Sequence, residues 1–137
     1  MRLYNVRGIL QSKNVNKYLI DWDSSCKSKI QKKVKDFFRS HWENHIVYEE
    51  FPVFGSRLKV DLLNATKKIA VEVQGKQHTS YSKFFHGSRT GYWKSIKRDV
   101  TKENWLINNE FQLVEVNYDE VDSLSKKFLK QHYGIIL

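Results

Sequence analysis

Residues 58–77 read LKVDLLNATKKIAVEVQGKQ, two short apolar alternations joined by a polar stretch and closed by a glycine. In the first, Leu58, Val60 and Leu62 fall on one face of a strand and Asp61 on the other. In the second, Ile69, Val71 and Val73 share the aliphatic face, with Glu72 and Gln74 opposite. A hairpin turn over residues 64–67 that keeps the aliphatic faces matched brings Asp61 opposite Glu72 or one diagonal step away, within about 8 Å backbone to backbone. Two carboxylates at that range repel each other unless a proton or a cation lies between them. A divalent ion suits the pair, because Mg2+ or Mn2+ takes hard oxygen ligands and is often held by one or two carboxylates plus water and phosphate. The plainer alternative is a solvated strand face on which Lys59, Lys67 and Lys68 neutralise the acids.

The flanking stretches favour chemistry over the plainer alternative. Ten residues separate Asp61 from Glu72-Val73-Gln74, and IAVEVQGKQH (69–78), FFHG (84–87), KRDVTKENW (97–105) and FQLVEV (111–116) follow in order. Together they resemble the PD-(D/E)xK nuclease superfamily, and within it the branch of very short patch repair endonucleases and of some phage and intron homing endonucleases. The resemblance covers about residues 25–120. It implies an α/β fold with a restriction-endonuclease-like core, a mixed central sheet of about four strands flanked by helices. It also implies Asp61 and Glu72 as ligands of a catalytic Mg2+ or Mn2+. Two features depart from the pattern: Gln74 stands in the place of a lysine, and Phe51-Pro52 is not joined directly to the first aspartate.

With 137 residues the chain has room for one domain around one core. Its 24 Lys and Arg against 15 Asp and Glu leave a formal net charge of +9. That excess points to a polyanion, nucleic acid first and an anionic membrane surface second. No single apolar stripe opposes the lysines, which disfavours the membrane, and no apolar run approaches the roughly 18 residues of a spanning helix. The opening MRLYNVRGIL lacks the apolar run of a signal peptide. Cys26, the single cysteine, excludes an internal disulfide and disfavours a cysteine-based zinc site. An intracellular, cytoplasmic protein is expected, and the resemblance suggests a phage or intron origin.

Residues 1–24 read as an N-terminal hairpin or arm, with strand-like pieces at 2–6 and 18–22. Ser24 and Ser25 are candidate N-caps for a helix over 26–43, whose buried stripe is Ile30, Val34, Phe37, Phe38 and Trp42. Lys27, Lys29, Lys32, Lys33, Lys35 and Arg39 populate its remaining surface, solvated or gripping phosphates. Gln31 turns partly inward. The resemblance sets it where relatives carry a glutamate in a Ser-x-x-Glu pattern, here Ser28-Lys29-Ile30-Gln31, so its amide either holds a metal-bound water or is a plain helix-edge group. Residues 45–51 form the first strand of the sheet, ended by Pro52, and Glu49 and Glu50 compete as a further acid near the site.

The loop over 75–91 interleaves Lys76, Lys83 and Arg89 with aromatic residues, a mixture suited to phosphates and unstacked bases. His78 follows Glu72 closely enough to act as general base or to steady a leaving group, or it is an ordinary surface histidine. A second helix over 92–109 turns Trp93, Ile96, Val100 and Ile107 to the core and presents Lys94, Lys97, Arg98 and Lys102 as a cationic face. Asp99 falls on the Arg-Asp position of the resembled branch, where it would orient His78 or a water; the alternative is an ion pair with Lys102 one turn on. Residues 111–116 read as a central strand and 119–133 as a closing helix with Val121, Leu124, Phe128 and Leu129 inward. The chain is expected to be one nuclease domain, with arm 1–24, catalytic core 25–120 and closing helix 121–137.

The expected function is metal-dependent hydrolysis of phosphodiester bonds in double-stranded DNA, in the manner of a homing endonuclease. Asp61 and Glu72 hold the ion, Gln74 positions the water, and Lys59, Lys76, Lys83, Arg89, Lys94, Lys97, Arg98 and Lys102 grip the DNA. A small chain without a separate reader domain is expected to work as a homo-oligomer, a dimer or tetramer. The enzymatic alternatives are a mismatch-nicking or a junction-resolving nuclease on the same fold. The alternative from another class is a nucleic-acid-binding module without catalysis, favoured by the amides at Gln31 and Gln74 and opposed by the acids at Asp61 and Glu72.

Overall fold

The computed structural model describes residues 1–75 and 89–137, and the side chains of the second segment from residue 97 onward. Strands β1 (Arg2–Tyr4) and β2 (Leu10–Ser12) form an N-terminal hairpin. Helix α1 (Lys29–Trp42), strands β3 (Val47–Pro52), β4 (Lys59–Asn64) and β5 (Ile69–Gln74), helix α2 (Arg89–Asn108), strand β6 (Gln112–Asn117) and helix α3 (Lys126–Tyr133) follow. The main sheet has the order β3-β4-β5-β6, antiparallel in its first two pairings and parallel between β5 and β6. This is a mixed four-stranded sheet with helices on it, as the sequence leads one to expect. A parallel neighbour needs a crossover, and the segment carrying α2 supplies it. Among the described residues, no helix is long and apolar enough to cross a membrane.

The sheet separates two apolar layers. On one side, Val34, Phe38 and Trp42 of α1 and Leu129 of α3 pack with Val47, Leu62, Ile69, Val71, Val114 and Val116. On the other, Trp105 and Leu106 of α2 and Leu3 of the hairpin pack with Phe51, Val60, Leu63 and Ala70. Leu58 and Val60 therefore lie with the α2 layer and Leu62 with the α1 layer, not on one face as simple alternation predicts. The reason is local. The pairing of β4 with β5 runs from Asn64↔Ile69 only to Leu62↔Val71, and in the neighbouring strand β3 Glu50 takes a left-handed backbone with φ 51°. The strand turns at Asp61.

Other expectations need correcting. Helix α1 starts at Lys29, and its cap is Ser28, whose Oγ accepts the Gln31 N–H at 3.1 Å; Ser24 and Ser25 lie in the preceding segment. Ser28→Ala should cost about 1 kcal/mol in chemical denaturation, and an unchanged midpoint would show the cap to be idle. Lys35 is not on the solvated face. It is fully buried, and its Nζ donates to Ser24 Oγ at 2.8 Å and to Glu49 Oε1 at 3.0 Å, which satisfies a charge that could not otherwise be kept there. Strand β6 is an edge of the sheet, not its centre, and α3 shields it: the Tyr133 hydroxyl donates to the Glu115 carbonyl, and Gln112 Nε2 donates to the Tyr133 carbonyl at 2.7 Å.

Helix α2 is rotated from its predicted phase. Val100 and Ile107 are exposed, while Trp105 and Leu106 are buried; the side chains of Trp93 and Ile96 lie outside the described residues. The anchor is Trp105, whose Nε1 donates to the Tyr4 carbonyl at 2.6 Å. Asn109 completes the tie to Tyr4, accepting its N–H at 2.8 Å and donating to its carbonyl at 3.1 Å. The closing segment is two pieces, a 3-10 turn at Val121–Ser123 and then α3, because Ser125 restarts the helix by accepting the Phe128 N–H at 3.0 Å. Gly134, with φ 67°, ends it in the left-handed conformation that glycine adopts without strain.

Candidate active site

Where β4 parts from β5, side chains take over from the backbone ladder. The register that ends at Leu62↔Val71 brings Asp61 and Glu72 into the next opposing positions. There Asp61 Oδ2 accepts the Val73 N–H at 2.8 Å, standing in for a strand carbonyl. The other oxygen, Oδ1, accepts from Gln31 Nε2 at 3.1 Å, and the same amide nitrogen donates to Glu50 Oε1 at 2.9 Å. Gln31 is the third helical residue of α1, so the Ser28 cap that begins the helix also sets the height at which its amide meets the strands. Both amide hydrogens are thereby committed, leaving the Gln31 carbonyl oxygen as an acceptor.

Glu50 resolves the competition between neighbouring acids. Its left-handed backbone, a conformation costing about 1–2 kcal/mol for a residue with a Cβ, turns it to the Gln31 side, where Lys27 also approaches at 3.4 Å. Glu49 points the other way, to Lys35 and to the Cys26 thiol, which donates to Glu49 Oε2 at 3.5 Å. Burial and the adjacent Glu49 charge push the Cys26 thiol up from its ordinary value.

Glu72 is 6% exposed. Lys102 of α2 sets its ammonium 2.6 Å from Glu72 Oε1, although that oxygen has no aligned hydrogen-bond donor. Burial first, and then the charge of Asp61, push Glu72 up to about 9, with Lys102 opposing. Asp61 is also raised, by burial and by the charge of Glu50, while hydrogen bonding to the neighbouring Glu72 and from Val73 pulls the other way. The two carboxyls take adjacent opposing positions on β4 and β5 and both are raised, so with Lys102 as the nearby cation and no divalent ion the pair tends to keep a proton.

That retained proton has a measurable sign. The unfolded chain sheds the Glu72 proton near pH 4.5 and the folded one near 9, so unfolding releases a proton between those values and stability falls as pH rises. One unit of retained shift corresponds to about 1.4 kcal/mol, or roughly 4 °C of Tm in a chain this size. The metal-free protein should melt at least that much lower at pH 8.5 than at pH 5.5, and Glu72→Gln should flatten the slope. A Tm that rises over this range would contradict the assignment.

The remaining expected site residues divide by position. Gln74 is half-buried at the end of β5, beside Asn117 of β6. Lys102 goes to Glu72 instead of pairing with Asp99, and Asp99, exposed on α2, acts only at a distance, its charge helping to raise Glu115. Lys59 is exposed at the start of β4, and Lys97 and Arg98 are exposed on α2. His78, Lys76 and Lys83 lie outside the described residues, as do the side chains of Arg89 and Lys94.

The donor set fits a hard divalent cation. Asp61 and Glu72 offer carboxylate oxygens from adjacent strands, and one of these oxygens is buried with, among the described residues, an ammonium against it. Among the described residues, no third His, Cys, Asp or Glu joins them as a ligand cluster; two carboxylates completed by water and phosphate are a common Mg2+ arrangement.

Comparison with known proteins finds two viral relatives. Uncharacterized protein 033L of Invertebrate iridescent virus 3 is 34% identical over 67 residues, covering 49% of this chain and 34% of that protein. Uncharacterized protein 094L of Frog virus 3 (isolate Goorha) is 35% identical over 72 residues, covering 52% of this chain and 46% of that protein. The matches thus span between a third and a half of the relatives' lengths. No family model matches the chain, and no solved structure gives a significant match.

Proposed function

We propose that this chain is a divalent-metal-dependent DNA endonuclease, built on a restriction-endonuclease-like core, with Asp61 and Glu72 as its metal-holding carboxylates. The observation that carries the reading is the placement of the half-buried Asp61 beside the buried Glu72 at the parting of β4 and β5, flanked by α1 and α2. A fold gains nothing in stability from crowding a half-buried carboxylate against a buried one. Such crowding is characteristic of sites that bind a cation or move a proton.

A bound Mg2+ or Mn2+ would supply an acidified water and a positive charge against the scissile phosphate. The chain's own groups do the rest. Val73 and Gln31 fix the plane of the Asp61 carboxylate. Gln31, with Glu50 behind it, presents a carbonyl oxygen that can accept from a water, and Gln74 stands further along β5 as a second neutral positioning group. The net charge of +9 and exposed cations such as Lys59, Lys97 and Arg98 hold the phosphodiester backbone. His78, Lys76, Lys83, Arg89 and Lys94 belong to the same reading as DNA-facing or proton-moving groups, and Asp99 as an outer group of the site. The enzyme would act in a dimer or tetramer on duplex DNA. The viral origin of both relatives suits a mobile or virus-encoded nuclease.

Incubation with supercoiled plasmid and with branched duplex DNA tests the proposal. Nicked or linear product is expected with Mg2+ or Mn2+, none with EDTA, and less as salt rises. Salt-dependent binding to both DNAs without cleavage in either metal would replace the nuclease with a non-catalytic nucleic-acid clamp.

A further inference from the structure

Gln74 is uncharged, so β5 carries no cation near the acid pair, and among the described residues the ammonium against Glu72 comes from a different element. Lys102 reaches from α2 to within 2.6 Å of Glu72 Oε1, with its side chain 20% exposed. Its charge acts mainly on Glu72 and more weakly on Asp61 and Glu115, three acids on three adjacent strands. Glu115 lies directly beside Glu72 in the parallel register of β5 and β6. Lys102 is paired with Glu72, at the end of the sheet where Asp61 and Glu115 also lie. Its place is secured from below, since Trp105, three residues on, is tied to Tyr4 and packs beside Phe51 and Phe54.

An ammonium pressed on a carboxylate that two strands offer to a cation occupies ground that a divalent ion would claim. Two cations cannot share Glu72 Oε1 at contact distance without strong repulsion. The lysine stem is flexible and partly exposed, so its head can leave without unfolding α2.

We propose that Lys102 is the resident cation of this site: it holds the Asp61–Glu72 pair until a divalent ion displaces it, and the freed ammonium then meets the substrate phosphate, supplying from α2 the charge that Gln74 lacks on β5. The inference rests on the nuclease reading and deepens it. An ordinary structural ion pair between α2 and β5 would share the geometry but not the consequences. Removing a structural pair loosens the site and weakens metal binding, whereas removing a resident competitor strengthens it.

The test compares the full-length protein with Lys102→Met and Lys102→Arg, using Mn2+ titration by calorimetry and plasmid cleavage at saturating Mn2+. Lys102→Met should bind Mn2+ about fivefold tighter or more, the lower end of ordinary coupling between ligands. It should cleave about a hundredfold more slowly, the scale of losing one charge-stabilising group. Lys102→Arg, which keeps the charge, should restore Mn2+ affinity to near the parent's value and recover part of the rate. A cooperative melt for each variant separates these effects from misfolding, and if Lys102→Met does not fold, Lys102→Gln takes its place. Mn2+ affinity that is unchanged or weaker without the lysine charge, or cleavage at the parental rate, overturns the role of Lys102 alone. A parent protein that neither binds Mn2+ nor cleaves overturns the nuclease reading, and this inference with it.

Discussion

Replacing Asp61 by asparagine is expected to lower metal-dependent cleavage by more than the roughly 10–100-fold typical of outer groups around a metal, while DNA binding persists. Both carboxylate oxygens of Asp61 are engaged as acceptors, from Gln31 Nε2 and from the Val73 N–H. Asparagine has one acceptor and one donor, so either the Gln31 amide or the Val73 N–H loses its partner, at about 1–3 kcal/mol if no water reaches it. Part of that loss is returned, because the substitution removes the charge that repels Glu72. The variant should fold with nearly the parental Tm and show a Glu72 closer to an ordinary carboxylate. Its salt-dependent affinity for duplex DNA should be unchanged, since phosphate contacts come from the basic surface. Cleavage by Asp61→Asn at a tenth of the parental rate or better would remove this aspartate from the chemistry.

The largest expected loss of stability is at Trp105. The indole is 1% exposed, lies 6.2 Å centroid to centroid from Phe51 and 6.0 Å from Phe54, and donates its N–H to the Tyr4 carbonyl. Truncation to alanine opens a cavity between α2 and the sheet and leaves that carbonyl with Asn109 as its remaining side-chain donor. Aromatic-to-alanine changes in cores cost about 3–5 kcal/mol, which for a chain of this size lowers Tm by about 10 °C or more. Trp105→Phe should recover much of the packing but not the hydrogen bond, so its loss should be about 1 kcal/mol larger than ring volume alone explains. A Tm within a few degrees of the parent for Trp105→Ala would mean that the hairpin and α2 are not coupled through this residue. Lys102 stands one turn before Trp105, so the alanine variant should also disturb the site.

The acid pair was legible in the sequence because it depends on a short turn and the register that turn sets, both contained within residues 58–77, although the alternation of β4 breaks at Asp61. Four strands in the main sheet and three main helices were legible because their apolar patterns are likewise local. The misread features were those fixed by partners remote in the chain. Burial of Lys35 depends on Glu49, fourteen residues away, and the phase of α2 depends on a bond from Trp105 to Tyr4 across 101 positions. No alternation rule distinguishes Glu49 from Glu50, because the choice rests on a single left-handed residue within a strand. A glycine there would have announced the conformation; a glutamate conceals it. In the sequence Lys102 reads as a DNA-facing cation or a partner of Asp99, since only the packing of α2 on the sheet shows that its ammonium reaches Glu72.

The most direct measurement is an anomalous-scattering map from crystals of the protein soaked in Mn2+ at a pH where both carboxyls can ionise. One strong peak bound by both Asp61 and Glu72 is expected, with the Lys102 ammonium moved off Glu72. A map with no peak between these two side chains, or with manganese held only elsewhere on the surface, would contradict it.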